Sequence, residues 1–430
     1  MKTLFSHVDI LINDPKNSVI QNGYLGVDDD KICYIGREKP ADPYDFTKTL
    51  DNCLIVPGFY NLHTHTPMSI LRGLGSHLPL DQWLEQVIFP IEAVMEQPDY
   101  SVGSRLAMME MLAGGVVGFS DMYHHPEYYV GDVLRSGMKA NLCEPIMFIN
   151  GDMLKKHAEK IAHSVGFFQT YHGESNGRLR IDFAIHAEYT STEETVRGYG
   201  QKCLEHGARM HLHMSETRKE HDACKARYGV TPAAWFDRLG VFENPTNAAH
   251  CVMVEENDMK IMHEKGVTAV HNPSSNLKLG SGIMPIRSMM DHGVRVTIGT
   301  DSSASNNNQN LLEEMHLTAL IHCGVQRDPT VLSPVEVIRF ATRDGAAAQG
   351  RENCGSLAVG NQADFAVIDL DKPHLQPILD YPSLITYSAQ ASDVAMTVVD
   401  GKILYDHGEF LTIDADRVRH DLKACLKRRF

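Results

Sequence analysis

Residues 56–75, VPGFYNLHTHTPMSILRGLG, decide the fold. A short apolar run leads to His63 and His65, and residues two apart on a strand project from the same face. At the carboxyl end of a strand in a (β/α)8 barrel, that face points into the barrel mouth, where the catalytic residues of this fold lie. Taken alone, the H-x-H pair also suits two polar residues at a strand end. As part of an inner barrel strand, it predicts two imidazoles that bind a metal ion.

The pattern of strands and helices around this segment supports a barrel. Between residues 58 and 357, helical stretches such as 100–115 alternate with short apolar runs such as 294–301. This alternation predicts an α/β fold with a parallel sheet, most economically a (β/α)8 TIM barrel. Residues 1–57 and 358–430 instead contain short strands separated by turn signals. One of these signals, Asp400-Gly401, predicts a two-residue hairpin turn. We expect these flanks to pair into one small β-sandwich beside the barrel, with a closing helix at the end of the second flank.

Composition excludes several classes of function. The 430 residues include 40 basic and 55 acidic side chains, which gives a net charge of −15. An acidic chain without basic clusters repels phosphate backbones, so nucleic acid is not an expected partner. No apolar run approaches the roughly 18 residues of a membrane-spanning helix, so no membrane partner is expected either. Nine scattered cysteines without a C-x-x-C pair are typical of a reduced, cytoplasmic enzyme.

Three further segments carry residues of the same chemistry. RMHLHMSET places His211 and His213 on one strand face, with Glu216 just after the strand. NAAHC places His250 after a short apolar run, and TIGTDSSASNNN places Asp301 at the end of another. Each candidate lies at the carboxyl end of a predicted strand. Because those ends converge in a barrel, residues far apart in sequence can share one ion.

Together, the motifs PGFYNLHTHTPMSILRGL, HLHMSE, AAHC, HNPSSNLKLGSG and TIGTDSSASNN resemble the amidohydrolase superfamily. Within it they are similar to the branch that holds adenosine-type deaminases, guanine deaminases and aminotriazine hydrolases. The resemblance covers essentially the whole chain. It implies a distorted (β/α)8 barrel with a small β-sandwich built from both termini, and a small heterocyclic molecule as substrate. Relatives commonly assemble, so a homo-oligomer is compatible with the family.

The resemblance also implies a metal centre. It matches four residues to the ligands of one divalent ion: His63, His65, His213 and Asp301. Zinc is the expected ion, with Fe²⁺ and Mn²⁺ as alternatives, because three imidazoles and a carboxylate suit all of them. Two-metal relatives carry a bridging lysine at the end of strand four. The corresponding residues 180–190 contain none, which favours a single ion.

Catalytic roles follow from the same match. His250 corresponds to the histidine that hydrogen-bonds the metal's water, and Glu216 to the acid that shuttles protons. Three imidazoles and one carboxylate leave a position open for water, whose pKa the cation lowers from ~16 to ~7 in good cases. Glu216 can then take the water's proton and pass it to a ring nitrogen, while Asp301 passes a proton to the departing amine.

Four residues are expected to contact the substrate besides Glu216. Trp83 and Glu92 match a segment of the 5′-methylthioadenosine/S-adenosylhomocysteine deaminases that supplies a pocket tryptophan and a ribose-binding glutamate. A carboxylate can accept hydrogen bonds from two vicinal hydroxyls, which suits Glu92 to a ribose diol. Trp83 in a helix core and Glu92 as an ordinary helix acid are equally compatible with the sequence. His186 and Ser305 match base-side and ribose-side contacts. Residues 272–276, in HNPSSN, are expected to form a turn in the pocket wall without a chemical role.

One position departs from the family. Relatives that accept S-adenosylhomocysteine place an arginine where this chain has Glu144. A carboxylate there would repel the amino-acid carboxylate of that substrate, unless Lys155 or Lys156 compensates. A neutral nucleoside, a cationic side chain or a free heterocycle fits better.

We therefore predict a metal-dependent deaminase of an amino-substituted N-heterocycle, with an adenine nucleoside as the preferred substrate. A free base or related ring is an alternative: guanine, 8-oxoguanine, a pterin, a cytosine-like ring, or an amino- or chlorotriazine. Hydrolysis of a cyclic amide or amidine is a second alternative, and a scaffold without catalysis is a third.

Overall fold

The computed structural model of the protein describes residues 1–14, 16, 18–147 and 153–430, without the side chains of residues 153–157. In chain order, the strands are β1 (Lys2–Leu11), β2 (Val19–Asp28), β3 (Lys31–Gly36), β4 (Phe46–Thr49), β5 (Cys53–Pro57), β6 (Phe59–Thr64), β7 (Val116–Met122), β8 (Lys139–Cys143), β9 (Pro145–Ile146), β10 (Leu179–Ile181), β11 (Phe183–Ile185), β12 (Met210–Met214), β13 (Thr246–His250), β14 (Thr268–His271), β15 (Arg295–Ile298), β16 (Phe365–Asp369), β17 (Val394–Val399), β18 (Lys402–Asp406) and β19 (Glu409–Phe410).

The helices alternate with these strands through the middle of the chain. They are α1 (Leu80–Trp83), α2 (Phe89–Glu92), α3 (Gln97–Ala113), α4 (Val130–Ser136), α5 (Met153–Tyr171), α6 (Glu174–Gly177), α7 (Glu193–Glu205), α8 (Arg218–Tyr228), α9 (Pro232–Arg238), α10 (Glu256–Glu264), α11 (Pro273–Lys278), α12 (Ile286–Asp291), α13 (Leu311–Gln326), α14 (Pro334–Ala341), α15 (Arg343–Ala348), α16 (Tyr381–Tyr387) and α17 (Ala415–Arg429). The helix predicted within residues 100–115 and the closing helix are both confirmed, as α3 and α17.

The central strands form parallel sheets. Their hydrogen-bonded orders are β6-β7-β8-β10 and β9-β11-β12-β13-β14-β15. Only Glu144 separates β8 from β9, and only Asp182 separates β10 from β11, so these strands continue from one sheet into the other. The far edges also meet, since the Asp301 amide, just after β15, donates to the carbonyl oxygen of His63 in β6 at 2.8 Å. This mixed α/β architecture is of the TIM-barrel type.

Burial explains the composition of the central strands. Every residue of β6, β7, β12 and β13 is buried, polar ones included. Strands of a parallel sheet covered by helices are buried on both faces, so they contain continuous apolar runs instead of alternating patterns. A polar side chain at such a position must therefore find a partner inside the protein.

Strands from both ends of the chain form a separate sheet, in the order β19-β18-β17-β16-β5-β1-β2-β3, with β4 paired to β1. The two flanks join where β5 pairs antiparallel with β16. Buried side chains such as Phe5, Val27 and Phe365 form a core of their own in this part. Its layered sandwich form stays a prediction.

The hairpin between β17 and β18 follows the predicted D-G signal. Asp400 and Gly401 have φ angles of 47° and 71°. A two-residue hairpin turn of this kind needs positive φ at both central residues, which explains the glycine. Among the helices of the described residues, none is long and apolar enough to cross a membrane.

Candidate metal centre and active-site cleft

The strand ends bring the predicted metal ligands together. Ligand atoms of His63, His65 and His213 lie within 4.8 Å of one another, and so do those of His63, His250 and Asp301. These residues lie at or just after the carboxyl ends of β6, β12, β13 and β15, which converge at one end of the central strands. The structure therefore gathers in one place residues that lie up to 238 positions apart in sequence (301 − 63).

Asp301 lies at the centre of the cluster. Its Oδ1 is 3.2 Å from His65 Nε2 and 3.6 Å from His63 Nε2. Its Oδ2 accepts hydrogen bonds from the hydroxyls of Ser275 at 2.5 Å and Ser305 at 3.0 Å. Burial disfavours the charged carboxylate, but the hydrogen bond and charge of His65 outweigh it and hold the Asp301 pKa well below its ordinary value. The carboxylate is thus fixed with one oxygen toward the imidazoles.

The imidazoles are oriented through their Nδ1 atoms. His65 Nδ1 bonds the carbonyl oxygen of Met122, and His213 Nδ1 bonds that of His186 at 2.8 Å. His63 Nδ1 lies 3.0 Å from Nε2 of His211, a buried ring. Each of these contacts occupies Nδ1 and leaves Nε2 for another partner, which is the arrangement found when histidine binds a metal.

His63 Nε2 is the atom that most clearly needs a partner. The side chain is fully buried, and this nitrogen has no hydrogen-bond partner among the described residues. Burial, and then the neighbouring imidazoles, hold the pKa of His63 well below its ordinary value, so the ring is neutral with a free lone pair. An orphaned buried nitrogen is costly. A divalent cation at this point would satisfy it, so the donor set fits a metal ion.

Two candidate catalytic groups face each other beside this cluster. Glu216 is buried just beyond β12, and its Oε2 lies 3.7 Å from His250 Nε2. Its Oε1 accepts a hydrogen bond from the Ser281 hydroxyl at 3.1 Å. Burial raises the pKa of Glu216, although the neighbouring His250 opposes the shift. A carboxyl group with a raised pKa is suited to both accepting and donating a proton near neutrality.

His250 is held by a residue to which sequence analysis gave no role. Its Nδ1 lies 2.8 Å from Asn276 Oδ1, so the ring donates through Nδ1 and directs Nε2 toward Glu216. Asn276 and Ser275 belong to α11, at a place where the H-N-P-S-S-N sequence suggests only a turn. Pro273 at the first turn of the helix is the available signal for α11. The contacts of Asn276 with His250 and of Ser275 with Asp301 each span 26 positions, so the local sequence does not predict them.

A cleft opens onto the metal cluster. Apolar side chains such as Met68, Leu84 and Phe89 form much of its wall. All four predicted substrate contacts line it as well: Trp83, Glu92, His186 and Ser305. Among the described lining residues there is neither lysine nor arginine, while three are acidic: Glu92, Glu216 and Asp301. The cleft therefore suits a neutral or cationic molecule that is largely apolar.

The predicted substrate contacts differ in how firmly they are held. Trp83 is only 5% exposed, and its Nε1 donates to the carbonyl oxygen of Leu74 at 3.2 Å, so it belongs to both the core and the cleft wall. Glu92 Oε1 accepts from the Tyr123 hydroxyl at 2.6 Å. Burial raises the pKa of Glu92, and the Tyr123 hydrogen bond opposes that shift.

His186 and Ser305 have partners of their own. His186 Nδ1 lies 3.0 Å from the Thr190 hydroxyl, and burial lowers the pKa of the ring to about 3, so the ring is neutral. The Ser305 hydroxyl donates to Asp301, which ties it to the metal cluster more directly than to a ligand. Its predicted contact with substrate stays a prediction.

Glu144 lies outside the residues that line the cleft. Its Oε2 accepts from His163 Nδ1 at 2.9 Å. Burial would raise its pKa, but His163 and the nearby Lys160 outweigh burial and lower it to about 2. Among the described side chains, His163 and Lys160 are therefore the groups that compensate the charge of Glu144. The predicted alternatives, Lys155 and Lys156, lie outside the described side chains.

Comparison with known proteins places this geometry in a family. The model of the amidohydrolase family matches residues 54–404. A 5-methylthioadenosine/S-adenosylhomocysteine deaminase of Dictyoglomus thermophilum is 38% identical over 421 residues, which cover 98% of this chain and 97% of that protein. A 5′-deoxyadenosine deaminase of Methanosarcina acetivorans is 37% identical, over 97% of this chain and 95% of that protein.

A solved structure has the same fold. An adenosine deaminase from Xanthomonas campestris, crystallised with bound zinc, superposes with a TM-score of 0.93. It is 29% identical in sequence, and the match covers 99% of this chain and 98% of that one.

Proposed function

The chain belongs to the amidohydrolase family and is a hydrolase acting on carbon–nitrogen bonds, and we propose that it deaminates an adenine nucleoside, with 5′-methylthioadenosine or adenosine as the preferred substrate. The relatives named for this reaction match nearly the whole chain. The observation that carries the proposal is one cleft lined by a metal-ligand cluster, by Glu216, and by the pair Trp83 and Glu92.

Four residues would hold one divalent ion: His63, His65, His213 and Asp301. The orphaned Nε2 of His63 supports this ligand set, and zinc in the Xanthomonas relative supports the identity of the ion. When bound, such an ion acts as a Lewis acid that lowers the pKa of a water molecule toward neutrality.

The chain's own residues would move the protons. Glu216, next to His250, accepts a proton at Oε2 and delivers it to the ring nitrogen of the base. His250, fixed by Asn276, presents Nε2 to the same place and stabilises charge that develops there. Asp301 receives the second proton of the nucleophile and passes it to the departing amine.

Substrate selection would come from the opposite wall of the cleft. Trp83 offers an aromatic surface to the nucleoside, and the free Oε2 of Glu92 accepts hydrogen bonds from the ribose hydroxyls. Since no lysine or arginine is among the described lining residues, a neutral 5′ substituent is preferred over one that carries a carboxylate. Glu144, paired with His163, supports the same preference, because it places a carboxylate and not a cation at its position.

We also propose the domain division that the sequence predicts: a distorted (β/α)8 barrel over residues 58–357, and a small β-sandwich from residues 1–57 and 358–430. Two observations support this division: the strands from β6 through β15 pair in parallel, and β5 pairs antiparallel with β16.

The test is ammonia release by zinc-loaded protein from adenosine, 5′-methylthioadenosine, S-adenosylhomocysteine, adenine, guanine, a pterin and an aminotriazine. We expect turnover of the first two nucleosides. We also expect Glu216→Gln to keep the metal but to lose at least about 100-fold in kcat, because general acid–base catalysis is typically worth 10²- to 10⁴-fold. Glu256→Gln, at an exposed acid on α10, is the matched control. Full activity of Glu216→Gln would contradict the mechanism, and ammonia from a free base alone would contradict the nucleoside assignment.

A further inference from the structure

Glu220, in the first turn of α8, is a buried carboxylate directed at the backbone of the catalytic turn. Its side chain belongs to a residue only 7% exposed. Oε1 accepts from the Ser215 amide at 2.9 Å, and Oε2 accepts from the Glu216 amide at 2.7 Å and the Thr217 amide at 3.4 Å. Both oxygens are therefore committed to the three residues that lead from β12 into α8.

This turn needs such support. Ser215 has a φ of 50°, in the left-handed region that is unfavourable for residues other than glycine. The turn must redirect the chain within a few residues, so that Glu216 points back toward the metal cluster. A backbone in this conformation persists only when surrounding contacts determine it. Glu220 supplies those contacts through one carboxylate.

An ordinary helix cap does not explain Glu220 fully. Thr217 and Glu220 form a capping box, and the same box occurs at Ser333 and Glu336 in α14. The Glu336 box is at the surface, and neither of its residues lines the cleft. Glu220 is instead buried beside another carboxyl group, and burial, followed by the charge of Glu216, raises its pKa to about 7. A cap alone would avoid this repulsion by using glutamine, which also serves in capping boxes.

We propose that Glu220 is a positioning residue that fixes the Glu216 carboxyl against His250 by holding the backbone of residues 215–217. The inference rests on the proposed role of Glu216. A carboxylate is needed because both of its oxygens, Oε1 and Oε2, face backbone N–H donors. Glutamine would present one of its own N–H groups to a donor, so a backbone amide would lose its acceptor.

The experiment compares Glu220→Gln, Glu220→Asp and the matched cap variant Glu336→Gln in zinc-loaded full-length protein. For each variant we would measure kcat and KM for 5′-methylthioadenosine, the metal content, and the amide hydrogen exchange of the peptide that contains residues 215–217. In Glu220→Gln we expect a loss of about 100-fold in kcat, the effect typical of a displacement near 1 Å. KM and metal content should stay near wild type, and the 215–217 amides should exchange faster.

The other variants separate positioning from simple stability. Glu336→Gln should lose its cap but keep kcat, and Glu220→Asp should recover part of kcat because it retains two acceptor oxygens. Equal kcat in Glu220→Gln and Glu336→Gln would overturn the proposal, and so would a loss of activity that parallels loss of metal. If wild-type protein deaminates no nucleoside, the proposed function fails by itself. The role of Glu220 can still be tested in that case: if the amide hydrogens of residues 215–217 exchange at the wild-type rate in Glu220→Gln, Glu220 does not hold this turn.

Discussion

Replacing Glu92 tests whether the cleft selects substrates that carry a ribose. Its Oε1 is occupied by the Tyr123 hydroxyl, so Oε2 is the atom available to a substrate. Hydrogen bonds to a charged group contribute about 1.5–3 kcal/mol. We therefore expect Glu92→Ala to lower kcat/KM for adenosine by about 10- to 100-fold, measured by ammonia release.

A matched variant isolates that effect. Glu85→Ala removes an exposed acid from the helical segment that also carries Glu92, and it should leave kcat/KM unchanged. For a free base that the enzyme deaminates, kcat/KM should be unaffected by either substitution. Equal losses for adenosine and a free base in Glu92→Ala would contradict a ribose-binding role and indicate a general distortion of the cleft.

At the scale of single residues, the sequence predicts the groups that belong to motifs. Spacing and strand-end positions make His63, His65 and Asp301 candidates, and the family resemblance implies their role as ligands. The structure brings them together. The partners that orient them are not predictable in this way. Asn276 approaches His250, and His211 approaches His63, only because the strands converge. Such contacts depend on the packing of the barrel, which no local pattern encodes.

At the scale of elements, the contact between β6 and β15 controls the metal cluster. Gly299 follows β15, and a Cβ atom there would lie 2.7 Å from Asn272 Oδ1 and 2.8 Å from the His63 backbone nitrogen. Contacts this short require the strands to move apart. Because His63 lies directly across this contact, a side chain at position 299 should displace a metal ligand.

We expect Gly299→Ala to lower metal affinity by at least about 10-fold, in the range seen when groups that support a metal ligand are lost. Metal titration followed by elemental analysis measures it. The control is Gly324→Ala in α13, where a Cβ would meet no atom within 4 Å. That change should leave metal affinity unchanged and stabilise the fold by up to about 1 kcal/mol. Wild-type metal affinity in Gly299→Ala would contradict the importance of this contact.

The elements themselves were largely predictable. Periodicity gives α3 and α17, and the D-G signal gives the β17–β18 hairpin, because helices and tight turns depend on neighbours in sequence. The sequence predicts a turn after β14, but the structure has α11 there. Its polar, serine-rich sequence is weak for a helix, and contacts of Ser275 and Asn276 with the metal site stabilise it there.

At the scale of the whole molecule, one buried ion cluster joins the central strands to the flanking sheet. Lys139 in β8 is 3% exposed, and its Nζ lies 2.6 Å from Asp364 Oδ1. The same Nζ also contacts Asp400 in the β17–β18 turn. Tyr60 in β6 donates to the other oxygen of Asp364 at 3.0 Å. The sequence could not predict this cluster, since Lys139 and Asp364 are 225 residues apart.

Lys139→Met should therefore destabilise the protein and reverse the pH dependence that Asp364 contributes. Removing one partner of a buried pair costs about 3–5 kcal/mol, because the remaining carboxylates stay buried and unpaired. In the wild type, burial opposes ionisation of Asp364, but Lys139 outweighs it and lowers the Asp364 pKa. A lowered folded-state pKa gives stability that is present above the unfolded-state pKa and lost as the pH falls.

Lys139→Met removes the charge that offsets the burial of Asp364 and leaves only neutral hydrogen bonds, such as those from Tyr60 and the Asp400 amide. We therefore expect the folded-state pKa of Asp364 to lie above the unfolded-state value. A raised pKa means that the folded protein binds the proton more tightly, and stability rises as the pH falls from about 8 to about 5. Free energies of unfolding from urea titrations at both pH values, compared with wild type, measure the difference. Lys202→Met, which removes an exposed pair with Glu205, should cost far less stability and show no rise in stability on acidification. A Lys139→Met variant whose stability changes between about pH 8 and about pH 5 in the same way as that of the wild type would show that Asp364 does not depend on Lys139 for its charge.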